Sequence, residues 1–268
     1  MTRIRLDDAA APVAKVEAAL SGRLLARYPL DALPVVRKSL RRDAALFWSQ
    51  RAWSEYAALP ILSQVLLRSV GEAAPLTESQ AAAGILQDEA LHTRLSRDVA
   101  EAFGGYEAQV PPHFAYDPAA LSQPSELGLA GWLVAGGAVG ETLSRALISA
   151  RLKYTEPPQL KAIVTRTLKD ENVHVAFTWA ALERAVKPLR KQEKRRLVEI
   201  AAPTVEAAYR SLCTDGLSGA ALKSERRLRQ RLADARLGCC PPDVETDVVN
   251  EALQRFIVPG LQRVGLPL

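Results

Sequence analysis

The chain has 268 residues, 48% hydrophobic and 24% charged, which are the proportions of a folded globular protein and exclude a disordered or fibrous chain. No run of eighteen or more uncharged apolar residues occurs, so a membrane-spanning helix is not expected. The net charge of +5 gathers late, in 187–196 and 226–236, but acids and apolar residues at helical spacing interrupt both stretches. They read as solvated helix faces rather than a phosphate-tracking groove, and nucleic acid is not expected as a partner.

Along the chain, strand signals are almost absent, while Ala, Leu, Arg, Glu and Gln dominate and apolar residues recur every three to four positions. The fold class is therefore all-α, as a single domain over 1–268. The first eight residues are charged and hold no apolar core, so no secretory signal is expected and the cytoplasm is the expected location. After an N-terminal segment (1–42), the first long helix is predicted over 43–69. The second starts at the capping box Thr77-Glu78-Ser79-Gln80 and stops at Gly104-Gly105. A Pro-rich stretch over 110–124 follows, and its His113 reads as a loop residue. The third helix is predicted over 125–153. The fourth opens on Pro157-Pro158 and reaches about Val186. Short links make each pair an antiparallel hairpin, with one long crossover between the second and third helices, which is a recognised order for a four-helix bundle. The bundle core is thus 43–186. A helical extension over 187–268 follows, with helices at 191–213 and 218–263 and a break at 240–242. Three cysteines, two of them adjacent (Cys239 and Cys240), give no disulfide framework.

Two of the three histidines sit in one repeated pattern: Asp88-Glu89-Ala90-Leu91-His92 on the second helix and Asp170-Glu171-Asn172-Val173-His174 on the fourth. Residues three apart share a helix face, so each Glu and His can reach a common target, combining carboxylate oxygen with imidazole nitrogen. The other two helices each carry one isolated acid. Glu55 is flanked by Ala52, Ala58 and Leu59. Glu141 follows the most apolar segment of the protein, 131–140. A lone carboxylate in such a place is costly to bury unless it is paired or bound to metal. Gly84 and Gly137, each about a turn before a motif acid, suggest room or close approach near the site. Pro60 is expected to kink the first helix one turn after Glu55. Trp48, Trp53, Trp132 and Trp179 are expected in the core.

Glu55, Glu89, His92, Glu141, Glu171 and His174, on four helices in this order, resemble the ligand set of the ferritin-like di-iron carboxylate superfamily. The resemblance covers about 43–186. It implies a ferritin-like bundle holding two iron ions, with manganese or a mixed pair also compatible with the donors. It also gives Asp88 and Asp170 a role, each accepting a hydrogen bond from the opposite motif's histidine: Asp88 from His174 and Asp170 from His92. The expected function is a non-haem di-iron oxygenase or oxidase that uses O2 to hydroxylate, N-oxygenate or desaturate a small organic substrate. An external electron donor is expected, because no flavin, nicotinamide or iron–sulfur motif is visible. A di-iron tRNA hydroxylase and a ferroxidase, peroxide scavenger or storage protein remain alternatives. Ser96 stands where the ribonucleotide reductase small subunit carries its radical tyrosine, and Thr167 where arylamine N-oxygenases carry an extra histidine. The resemblance is therefore not to a close copy of either. The extension after the bundle suggests a covered substrate cavity or a homodimer surface rather than a storage cage.

Overall fold

The computed structural model describes residues 28–107, 128–214 and 217–266. The Pro-rich stretch with His113, the first turn expected of the third helix and most of the N-terminal segment lie outside them. Among the described residues the protein is all-helical. Helix α1 runs over Lys38–Gly71 and α2 over Leu76–Ala102. Helix α3 is built from three consecutive segments: Gly128–Trp132, a π-helical stretch Leu133–Ala138, and Val139–Leu152. Helix α4 covers Pro158–Val186. Beyond it come α5 (Lys191–Thr214), α6 (Gly219–Asp234), α7 (Pro242–Ala252), a second π-helical turn (Leu253–Ile257) and α8 (Val258–Arg263). Helix α1 packs along α2, α2 on α4, α4 on α3 and α3 on α1, so four helices close a ring, with α7 against α3. No helix of the described residues is long and apolar enough to cross a membrane.

Local chemistry sets the helix ends, and one differs from expectation. Helix α2 begins at Leu76 behind Pro75, with no side chain capping its first amides, so the predicted capping box does not form. Glu78, between Thr77 and Gln80 of that box, reaches across to α4 and accepts from Arg184, with Nη2 to Oε2 at 2.8 Å. Its far end stops as expected at Gly104, whose positive φ of 123° suits a residue without Cβ. A cap not foreseen joins α1 to α3: Glu72 accepts the Leu129 amide at 2.7 Å. The chain passes through Pro60 without interrupting α1.

Two apolar clusters fill the ring. One is built from residues such as Phe47, Trp48, Leu95, Val99, Leu160 and Ile163, the other from Val65, Ala82, Leu133, Leu143, Leu182 and Val186. On α1, α2 and α4 the motif acids fall in the sequence between members of the first cluster and members of the second. A polar layer therefore crosses the interior at mid-height, where burial would be most costly without compensation. Of the tryptophans, Trp48 and Trp53 are buried, while Trp132 and Trp179 pack on the second cluster partly buried. The 226–236 stretch is not wholly a solvated face, since Arg229 is buried.

Candidate metal centre

Each of the six residues projects into the polar layer. Glu55 on α1 is 4% exposed, Glu89 and His92 on α2 are 2% and 1%, Glu141 on α3 is 5%, and Glu171 and His174 on α4 are 1% and 0%. Helical periodicity turns Glu89 and His92, and Glu171 and His174, toward the same interior face. On α3 the π-helical stretch directly precedes Glu141. Along this stretch α3 lies close to its neighbours: a Cβ on Gly136 would collide with Ile61 of α1, and one on Gly137 would press on Thr178 of α4. Gly137 thus serves helix packing. Gly84 does neither job expected of it, because it is exposed with nothing near its Cβ position.

The donor atoms form two overlapping groups. Atoms of Glu55, Glu89, His92 and Glu171 lie within 4.8 Å of one another, and so do atoms of Glu89, Glu141, Glu171 and His174. Glu89 and Glu171 belong to both groups, while each group has its own carboxylate and its own imidazole. Either group could hold a metal ion, with carboxylate oxygen and imidazole nitrogen as donors. The imidazole rings are 5.9 Å apart between centroids.

The backs of the histidines are tied off. His92 Nε2 donates to Asp170 Oδ2 at 3.2 Å, and His174 Nε2 donates to Asp88 Oδ2 at 3.4 Å. A carboxylate accepts only, so each contact holds the proton on Nε2 and directs Nδ1 inward. Arg166 joins the two aspartates, its Nε donating to Asp170 at 2.6 Å and its Nη2 to Asp88 at 3.4 Å. Within the centre, Arg51 pairs with Glu55, and Ser144 donates to Glu171 Oε1 at 3.0 Å. Arg51, Ser144 and Arg166 were not singled out in the sequence. Arg51 and Arg166 each carried a faint signal, standing one turn before Glu55 and Asp170.

The electrostatics are those of a site short of positive charge. Burial, reinforced by the neighbouring carboxylates, pushes Glu89 and Glu171 well above the usual range, although His174 partly opposes this. Burial would raise Glu55 too, but Arg51 and His92 outweigh it and hold that carboxyl below its ordinary value. Burial also works to raise Asp170, and hydrogen bonds from His92 and Arg166 hold it low. Burial alone would lower His174, yet hydrogen bonds to Glu141 and Glu89 push it up to about 11. Its Nδ1 lies 3.1 Å from Glu89 and 3.3 Å from Glu141, so a proton there does the work of a cation. Within the six-residue centre, His92 Nδ1 and Glu171 Oε2 are buried without a hydrogen-bond partner. Unpaired buried lone pairs are costly, and a metal ion is the partner that would satisfy both.

A pocket of about 310 Å³ adjoins the layer and is lined by all four carboxylates but by neither histidine. Compared with known protein families and with curated proteins, the chain matches no family model and no relative.

Proposed function

We propose that this protein is a dinuclear-metal oxidoreductase of the ferritin-like kind, an oxygenase or oxidase acting on a small organic substrate. The observation that carries the reading is the sharing of Glu89 and Glu171 between two buried donor groups, each completed by its own Glu and His. Four carboxylates and two neutral imidazoles match the charge and hardness of two iron or manganese ions. When bound, such a pair supplies activation of O2 for oxidation of an organic substrate.

The chain's own residues do the rest. Glu55 with His92, and Glu141 with His174, would each help to hold an ion, and Glu89 and Glu171 would be donors common to both groups. Asp170 and Asp88 fix the histidine tautomers, and Arg166 keeps both aspartates in place. Ser144 holds one oxygen of Glu171. The apolar clusters above and below keep bulk water from the layer. Electrons come from an external donor. The walls of the adjoining pocket include Ala57, Ala58, Ile61, Leu62, Leu143 and Leu147, which favours an organic substrate over hydrated iron and ranks a ferroxidase second.

Anaerobic titration with Fe(II) tests the reading. Wild type is expected to bind about two ions per chain, Glu171→Ala none, and Glu55→Ala fewer than wild type. Failure of wild type to bind either iron or manganese overturns the proposal. Admission of O2 then separates the branches: growth of ferric mineral supports the ferroxidase, while turnover that stays at two irons and oxidises an added organic compound supports the oxygenase.

A further inference from the structure

The polar layer has two unlike sides. The histidine side is closed by Asp88, Asp170 and Arg166, and the carboxylate side faces the 310 Å³ pocket. That volume is at the small end of the range for ligand sites, roughly 300–1,000 Å³. Of the described residues lining it, Arg51 is the one cation. Its side chain is only 15% exposed, and its partner there is Glu55.

Charge accounting makes Arg51 informative. Two divalent ions would neutralise Glu55, Glu89, Glu141 and Glu171 completely, leaving Arg51 with no spare negative charge in the pocket. The nearby Arg151 is already matched by Glu245, so it does not compete for an anion in the pocket. A guanidinium left so in a mostly apolar pocket is a strong anion site, and its planar fork fits a carboxylate. Resting on the dinuclear reading above, we infer that the pocket takes a small monocarboxylate with an apolar body, its head on Arg51 and its body along Ile61, Leu143 and Leu147. Gly140 lines the same pocket, is exposed, and has nothing within 4 Å of its Cβ position, so a side chain placed there adds bulk at the pocket wall without collision.

Equilibrium binding to the Mn(II)-loaded protein tests this, with metal content measured first. The probes are hexanoate and benzoate, compared with hexanamide, benzamide and hexylamine. The carboxylates are expected to bind roughly ten- to a hundredfold tighter than the amides, the amine weakest. Arg51→Gln should abolish the preference, Arg51→Lys should keep part of it, and Gly140→Leu should block all probes with metal content unchanged. Two bound metals with amides equal to carboxylates overturn this inference alone, as does a preference that survives Arg51→Gln at full metal content. Absence of bound metal in wild type overturns the dinuclear reading, and this inference with it.

Discussion

Among the described residues two clusters of charge are buried, and they are built on opposite principles. Beside α7, Glu245 accepts from Arg151 Nε and Nη2 at 3.2 and 2.9 Å through one oxygen, and from Arg229 through the other. Arg229 in turn pairs with Glu225 at 3.1 Å. Two arginines meet two glutamates, and the sum is zero. In the polar layer six carboxylates, Asp88 and Asp170 included, meet two arginines and two histidines. Both clusters leave atoms unpaired (Arg151 Nη1 in the first, His92 Nδ1 and Glu171 Oε2 in the second), so orphaned atoms alone do not separate them. Charge balance does. The first cluster is matched in charge, whereas the second has an excess of carboxylates that could hold metal ions.

The sharpest way to break this contrast is to remove one carboxylate charge from each cluster. Glu245→Gln takes from the buried Arg151 its carboxylate partner, leaves Arg229 with Glu225, and is expected to cost about 3–5 kcal/mol. Glu171→Gln in the metal-free protein relieves repulsion among crowded acids and is expected to be neutral or stabilising. Urea unfolding of both variants measures the two signs. Equal losses would mean that the polar layer is a structural network like the other.

Metal addition is the next largest effect. A ligand at a hundred times its Kd, bound by the native state alone, stabilises by about 2.7 kcal/mol. Mn(II) should confer such a gain on wild type and on Glu245→Gln, and none on Glu89→Ala, which removes a donor common to both groups. A gain that persists in Glu89→Ala would show the ion binding elsewhere.

The same contrast explains what the sequence could reveal. Glu55 and Glu141 stood out because a lone acid in an apolar helix has few explanations, and the repeated Asp-Glu-x-x-His supplied the rest of the site. The hairpin pairing of α1 with α2 and α3 with α4 followed from link lengths and helical period. The balanced cluster was invisible: Arg151, Arg229 and Glu245 lie on three helices, and only tertiary packing of α7 against α3 brings them together. Arg51 and Arg166 were hidden differently. With 35 Lys and Arg and 30 Asp and Glu in the chain, an arginine one turn from an acid is too common to signify by itself. The π-helical stretch of α3 was also beyond reach, since it is a shift of hydrogen-bond register with no fixed residue signature. The capping box misled because the helix already begins at Leu76, which places Thr77 and Gln80 inside it rather than at its start.

The smallest effect lies in pH, where the clusters should part in direction. Burial opposes ionisation of Glu245, but Arg229 and Arg151 more than compensate and hold it below its ordinary 4.5. Its stabilisation is therefore present above that value and lost as pH falls through the lower, folded one. His174 runs the other way. Raised from 6.5 to about 11, it contributes stability that is complete below 6.5 and lost as pH climbs through about 11. The proton responsible sits on Nδ1, the atom that would serve a metal ion, so metal and proton compete for it. Metal uptake near neutral pH should then release protons, with affinity rising as pH increases, and the loaded protein should lose the alkaline decline in stability. Calorimetry of Mn(II) binding in buffers of differing ionisation enthalpy measures the release directly. A heat that does not depend on the buffer would place His174 outside the coordination sphere and leave its proton a permanent part of the layer.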